Sequence, residues 1–114
     1  MSQYKQGEIV LVPFPYSDDL SQSKPRPVLI ISNDSLENEV ICVQITSKTN
    51  RIEFTSISIL LEDVSLELPV ISVIRTHLIH TIQKKSIIKR ISSLTNEDKL
   101  NRVLENLGIM LQRE

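Results

Sequence analysis

The chain has 114 residues, a net charge of −1, one cysteine and no tryptophan, and 40% of its residues are hydrophobic. This length and composition predict one compact domain spanning residues 1–114 and exclude a disordered tail. A charge so close to zero excludes a protein that binds polyanions through bulk charge alone. The apolar runs are only strand-sized, which argues against a membrane helix, and the N-terminus has no apolar signal region, so we expect a cytoplasmic protein.

Most of the chain consists of short apolar segments separated by turn signals, a pattern typical of a β protein. The predicted strands cover residues 8–14, 28–32, 40–46, 54–61, 69–75 and 86–92. A polar loop at 16–27 separates the first two strands, and a link from Leu78 to Ile82 separates the last two. The pattern predicts a small, strongly bent barrel of five to seven strands.

The C-terminal segment has a different period. Thr95 followed by Asp98 resembles a capping box with Asp in place of Glu. Apolar residues then recur at helical spacing: Leu100, Val103, Leu104, Leu107, Met110 and Leu111. We expect one amphipathic helix from about Asn96 to Gln112.

The first two strands are apolar on both faces. Val10 and Val12 share one face while Ile9 lies on the other, and Val28 and Leu29 alternate in the same way. A barrel interior covers one face, and the terminal helix covers only part of the second. We therefore expect a partner subunit to cover the remainder, in a homodimer.

Arg26 stands between Pro25 and Pro27. Pro25 fixes its own φ, and Pro27 excludes the helical region for Arg26, so the arginine is held in an extended geometry. Prolines in this position also serve to blunt the edge of a sheet. The alternative, which we favour, is that they aim the guanidinium at a ligand.

Few other residues could do chemistry. Thr46 ends the third strand on its polar face, and Arg75 and His77 share a strand face because they are two residues apart. His80 is expected on the opposite face and should tolerate alanine. Cys42, predicted to be a buried inert thiol, is the only further soft ligand, so neither a metal site nor a cofactor is expected.

Arg26, Thr46, Arg75 and His77 together suit chemistry on a phosphodiester. Guanidinium groups match phosphate oxygens and stabilise the added charge of the transition state. Histidine transfers protons near neutral pH, and the 2′-hydroxyl of RNA is a built-in nucleophile, so no metal-activated water is required. The residue types permit this interpretation without excluding structural roles.

Four segments in order resemble the MazF/PemK-like toxins. The segment QGEIVLVPFPYSDDLSQSKPRPVLIIS is similar to the opening strand, loop and Arg-Pro motif of that family, and VQITS at 43–47 is similar to its next motif. The segments SVIRTHLIHTI and IIKRISSLTNEDKLNRVLENL resemble its last strands and helix. The resemblance is weakest at 48–68.

This resemblance implies an SH3-like β-barrel with a C-terminal α-helix, assembled as a homodimer. It implies a toxin of a type II toxin–antitoxin system that acts as a metal-independent endoribonuclease, or mRNA interferase, and cuts single-stranded mRNA at short sequences. It also implies a cognate antitoxin whose flexible segment blocks the RNA groove.

The resemblance also assigns site residues. The family's Arg-Pro arginine corresponds to Arg26 and its strand-end threonine to Thr46, and the neighbouring Lys24, Ser47 and Lys48 are then predicted RNA contacts. In Kid-like members an Arg and an Asp two residues later act as acid and base. Arg75 matches the first, but His77 stands at the second position, and a histidine of the first loop has no counterpart here. His77 is therefore either the base or only an RNA contact.

Two other classes of function remain open. CcdB-type toxins share this barrel but poison DNA gyrase, and other SH3-like barrels are binding modules without catalysis. A toxin whose cutting has decayed would also keep its binding surface. The residues Arg26, Thr46 and Arg75 favour the nuclease because neither alternative needs them.

Overall fold

A six-stranded antiparallel sheet and one C-terminal helix make up the described part of the chain, residues 3–15, 23–47, 54–68 and 72–114 of the computed structural model. The strands are β1 (Glu8–Pro15), β2 (Ser23–Ile30), β3 (Glu39–Thr46), β4 (Ser56–Ile59), β5 (Ser72–Gln83) and β6 (Lys89–Ser93), followed by α1 (Glu97–Met110). The sheet order is β4-β5-β3-β2-β1-β6. A bridge between Val64 and Leu94 connects the chain after β4 to the chain after β6, at opposite edges of the sheet. The sheet is therefore curled into a partial barrel, which confirms the predicted fold.

Strand β2 begins earlier than the sequence predicted. Residues 23–27 were expected to be loop, but they pair with β1 in a register that places Arg26 opposite Val12 and Pro25 opposite Pro13. In the described structure, β2 pairs with β3 only through its own residues 28–30. The prolines are tolerated because this part of β2 pairs with a strand on one side only. On the open side, a missing N–H costs no hydrogen bond to a second strand.

Strand β5 is one long strand rather than two segments joined by a link. Its second half, predicted to be irregular from Leu78 to Ile82, pairs with β3 from Glu39 to Val43. The register shifts between Val43, which faces Ile79, and Gln44, which faces Arg75. The link prediction was wrong because β5 contains a bulge, and a bulge interrupts the alternation from which strands are recognised.

The other elements lie close to their predicted positions. Strand β4 is shorter than predicted, and a turn at 54–55 and a 3-10 helix (Leu61–Asp63) flank it. The predicted strand at 86–92 begins only at Lys89, after a 3-10 helix (Lys84–Ser86). The predicted helix is confirmed, but its N-cap is Asn96, whose side chain accepts a hydrogen bond from the Lys99 amide at 3.2 Å. Thr95 does not cap the helix, because its hydroxyl donates to the Asp63 carbonyl instead.

Two apolar clusters lie on the two faces of the sheet. The first includes Val103 of α1 and contains Ile9, Leu29, Ile31, Val43, Ile45, Ile57, Ile59, Ile74 and Leu94 from the sheet side. The second contains Val10, Val12, Val28, Ile30, Val40, Cys42 and Ile87, with Tyr4 and Ile82 packed against it. The predicted alternation is correct, but both faces of β1 and β2 are buried within one chain. The homodimer therefore remains a prediction, and uncovered strand faces are no longer an argument for it.

Candidate functional site

Four of the predicted site residues line one cleft. Lys24 and Arg26 come from the start of β2, and Thr46 and Ser47 from the end of β3. The cleft has a volume of about 330 Å³. Its remaining wall consists of Leu11, Pro25, Pro27, Ile45, Leu68, Ser72 and Ile91. Lys24 and Ser47 are exposed, whereas Arg26 and Thr46 are half-buried. Lys48, the other predicted RNA contact, lies outside the described residues.

Strand alternation places Arg26 and Thr46 on the same face of the sheet. Val28 faces Gln44 across β2 and β3; Arg26 lies two residues before Val28, and Thr46 lies two residues after Gln44. Arg26 also faces Val12, so this face is apolar around Val12 and Val28 and turns polar at Arg26 and Thr46. Half-buried Arg26 lies between two prolines at that boundary, in the extended geometry that the strand confirms.

Arg75 lies on the neighbouring strand, next to this polar region. Gln44 faces Arg75, and Thr46 faces Val73. Arg75 is therefore the diagonal neighbour of Thr46 across an antiparallel pair, at a typical Cα separation of about 7–8 Å, within reach of a long side chain. Arg75 does not line the cleft itself. Arg26, Thr46 and Arg75 thus form adjoining parts of one polar surface, while most of the cleft wall is apolar.

His77 is exposed and lies in the bulged part of β5. Ile74 and Thr76 are fully buried while Arg75 and His77 are more exposed, an alternation of burial in line with the predicted shared face. His77 Nδ1 is 2.7 Å from Thr55 Oγ1. Thr55 is itself buried, in the turn before β4. The sequence does not point to this threonine, because nothing in the local pattern relates residue 55 to residue 77.

His80 does not lie on the opposite face from Arg75, so that prediction was wrong. The bulge between Arg75 and Ile79 shifts the alternation, and His80 faces Cys42, two residues from Gln44 on β3. His80 Nε2 lies 2.7 Å from Gln44 Nε2. Burial lowers the pKa of His80, which favours a neutral ring that accepts a hydrogen bond from the Gln44 amide group. His80 and Gln44 therefore adjoin the same polar surface as Arg75.

The remaining candidates have simpler environments. Cys42 is fully buried, and burial raises its pKa to about 12, which agrees with an inert thiol. Arg90 forms an ion pair with Glu8 at the β1–β6 edge. Across the described residues, no three His, Cys, Asp or Glu side chains are grouped so that they could hold a metal ion. None of the described helices is both long and apolar enough to span a membrane.

Comparison with known proteins gives the class of the chain. Residues 5–111 match the family described as PemK-like, MazF-like toxin of type II toxin-antitoxin system. The chain therefore belongs to the PemK/MazF toxin family. No curated protein matches it by sequence.

Solved structures of MazF proteins share the fold. The structure of MazE–MazF from Deinococcus radiodurans has a TM-score of 0.78 at 17% identity, with 100% of both chains covered. An endoribonuclease in complex with its cognate antitoxin, from a mycobacterial species, has a TM-score of 0.71 at 20% identity, covering 97% of this chain and 99% of that one. Mycobacterium tuberculosis toxin MazF-mt6 has a TM-score of 0.71 at 21% identity, covering 94% and 98%.

Proposed function

We propose that this chain is a metal-independent endoribonuclease that cleaves single-stranded mRNA at specific short sequences. The observation that carries the proposal is the cleft that Arg26 and Thr46 line together, with Arg75 on the adjoining strand. Two guanidinium groups and a hydroxyl on one surface suit a phosphodiester, whose transition state gains negative charge on its non-bridging oxygens. Membership of the toxin family and a structural neighbour described as an endoribonuclease support the same activity.

In the proposed reaction, the RNA supplies its own nucleophile. A base on the protein removes the proton of the 2′-hydroxyl, and the 2′ oxygen attacks the adjacent phosphorus. The bond from phosphorus to the 5′ oxygen breaks, and that oxygen takes up one proton from solvent, to which the base returns the proton it removed. The products are a 2′,3′-cyclic phosphate and a 5′-hydroxyl end, and no water is consumed. Because the nucleophile is internal, the mechanism requires no metal-activated water.

The residues have separate roles in this mechanism. Arg26 binds the non-bridging phosphate oxygens through its planar fork, and Thr46 donates a hydrogen bond to the same phosphate. Arg75 stabilises the leaving side, and His77 is the base. Exposed Lys24 and Ser47 contact the flanking backbone, as Lys48 does in the sequence-based prediction.

We also propose a cognate antitoxin as the protein partner, because two of the structural neighbours are described as toxin–antitoxin complexes. A segment of the antitoxin would cover the cleft and exclude RNA. A flexible antitoxin segment over the cleft would compete with single-stranded RNA for the same guanidinium groups.

The test uses purified full-length protein, mixed single-stranded RNA and excess EDTA, with the ends of the products mapped. We expect cuts at a short consensus sequence that leave 2′,3′-cyclic phosphate ends. As a control, Arg102→Ala, on the exposed side of α1, should cut like the wild type. Loss of cutting on addition of EDTA would overturn metal independence. Intact RNA beside arrested DNA gyrase would favour a gyrase poison, and intact RNA that is nonetheless bound would favour a decayed binding module.

A further inference from the structure

The buried hydroxyl of Thr55 lies against the ring of an exposed histidine. Thr55 Oγ1 and His77 Nδ1 are 2.7 Å apart, and Thr55 is only 8% exposed. We propose that Thr55 is a positioning residue, which holds the His77 ring through Nδ1 so that Nε2 accepts the proton of the RNA 2′-hydroxyl. The inference rests on the proposed ribonuclease function and adds a residue to it.

The backbone fixes Thr55 beside His77. The Thr76 amide donates to the Thr55 carbonyl at 3.1 Å, and the next residue, Ser56, faces Arg75 in the β4–β5 pair. This anchor matters because His77 lies in the bulge of β5, where pairing with β3 is interrupted between Arg75 and Ile79. A side chain on a bulge loses the regular neighbours that define its direction. The Thr55 hydroxyl supplies a fixed contact there.

The chemistry of the contact favours one form of the ring. A neutral imidazole that donates from Nδ1–H to the Thr55 oxygen carries its lone pair on Nε2. When Nε2 takes the 2′-hydroxyl proton, the ring becomes an imidazolium whose Nδ1–H still donates to the same oxygen. The hydrogen bond thus persists through the proton transfer, and no group has to rotate. In the opposite tautomer Nε2 already carries the hydrogen, so it has no lone pair with which to accept the 2′-hydroxyl proton.

The neutral hydroxyl of Thr55 acts here as a third group, beside the nucleophile and the base, that orients the His77 ring. Nucleophile–base pairs are commonly completed by a group that fixes the tautomer and rotation of the histidine, most familiarly a carboxylate. A threonine fixes the ring without adding a negative charge beside the scissile phosphate. This is compatible with an anionic substrate, which an added carboxylate would repel.

The direct test is the tautomer of His77. The chain has two histidines, so ¹⁵N-labelled imidazole signals of the full-length protein are assigned by comparison with His80→Gln. In the wild type, we expect the neutral ring of His77 to carry its hydrogen on Nδ1. In Thr55→Val, which keeps the side-chain volume, the ring should become a mixture of both tautomers, and in Thr55→Ser the wild-type signal should return. A wild-type His77 protonated on Nε2 would overturn the proposal, whether or not any variant folds.

Single-turnover cutting at saturating RNA gives the functional half of the test. Thr55→Val should lower the rate about tenfold with RNA affinity unchanged, and Thr55→Ser should restore most of it. If wild type cuts RNA while Thr55→Val cuts at the same rate, the positioning role is wrong and the proposed function stands. If wild type does not cut, the proposed function fails, and the positioning role in catalysis fails with it even where the tautomer result holds.

A neighbouring threonine provides a matched control. Thr76 is fully buried, and its hydroxyl makes no hydrogen bond within the described part of the chain. Thr76→Val makes the same chemical change one residue from His77, so it should leave the tautomer and the cutting rate unaltered. If Thr76→Val changes the His77 signals as Thr55→Val does, the effect is one of general packing and the specific role of Thr55 is excluded.

Discussion

At the scale of single residues, Arg26 combines a constrained backbone with a chemically specific head group. The prolines on either side and the pairing with Val12 hold it extended on β2, where it lines the cleft with Thr46. A guanidinium grips two phosphate oxygens at once, whereas a lysine supplies a point charge on a flexible stem. The geometry and the head group therefore both favour phosphate binding over simple edge protection.

We expect Arg26→Ala and Thr46→Ala each to reduce RNA cutting by at least about 100-fold, because each removes a contact to the transition-state phosphate. Arg26→Lys should restore little activity, since lysine lacks the planar fork. Single-turnover rates and circular dichroism check these outcomes together. Thr81→Ala, at an exposed position of β5, is the matched threonine control. Wild-type rates in both cleft variants would remove this cleft from the mechanism.

His77 provides a second prediction at this scale, because a carboxylate would stand there in Kid-like relatives. If the imidazole is the base, cutting should fall towards acidic pH, because a protonated ring cannot accept the 2′-hydroxyl proton. His77→Ala should remove this acid limb with most of the activity, and His77→Asp should keep cutting and move the limb to lower pH. The cutting rate is measured from about pH 5 to 8. If His77→Ala leaves this pH profile unaltered, His77 is an RNA contact only.

His80 has to be treated with more care than the sequence suggested. Its contact with Gln44, on the face of Arg75, removes the basis for expecting that alanine is tolerated there. In the His77 experiments, His80→Gln is the better comparison because it keeps a polar side chain beside Gln44. Glutamine still offers an oxygen to accept the hydrogen bond that the ring accepts now.

At the scale of elements, a buried ion pair fastens α1 to the sheet. Asp63 is 1% exposed and accepts hydrogen bonds from the Lys99 ammonium group at 2.5 Å, the Asn96 amide group at 2.8 Å and the Leu60 backbone amide at 2.8 Å. Burial alone would raise the pKa of Asp63, but these hydrogen bonds and the charge of Lys99 outweigh it and lower the pKa. The carboxylate therefore joins the end of β4 to the first turn of the helix.

Asp63→Asn should lower the free energy of unfolding by about 3 kcal/mol at pH 7, since it leaves the Lys99 charge buried without its partner. Because the folded pKa lies below the ordinary value, the stabilisation is complete above about pH 4 and is lost as the pH falls through the folded pKa. Urea unfolding at pH 7 and pH 3 measures both effects. The difference between wild type and variant should shrink at the lower pH. Glu62→Gln, exposed on the same 3-10 helix, should change little.

At the scale of the whole molecule, the question is how many copies of the chain assemble. Both faces of β1 and β2 are covered within one chain, so the homodimer now rests on the family resemblance. Large exposed apolar side chains remain elsewhere on the described surface, among them Leu60, Leu61 and Leu66 near the 3-10 helix that follows β4. Such residues are more consistent with an interface than with a surface in permanent contact with water.

We expect light scattering of the purified toxin at micromolar concentration, without antitoxin, to give twice the mass of one chain. The mass should hold on dilution if apolar contacts dominate the interface, and added salt should not dissociate it. A mass of one chain across the concentration series would contradict the homodimer. Arg26→Ala should have the same mass as wild type, which separates assembly from catalysis.

The sequence alone determined the features that depend on local periods. Alternation over two residues identified β1, β2 and β3 and assigned Val10 and Ile9 to opposite faces, and helical spacing identified α1. The extended geometry of Arg26 also followed from its neighbours, since proline restricts the backbone of the residue before it. These signals hold because they arise from covalent geometry and from burial along one element.

Only the tertiary structure decided where strands begin, which faces are covered and which polar groups meet. Strand β2 extends to Ser23 because β1 offers a partner there, and the bulge of β5 brings His80 to Gln44. Thr55 reaches His77 across 22 residues of sequence. No local pattern encodes these contacts, because pairing energy comes from groups distant in the chain and one bulge reverses the phase of every side chain that follows it.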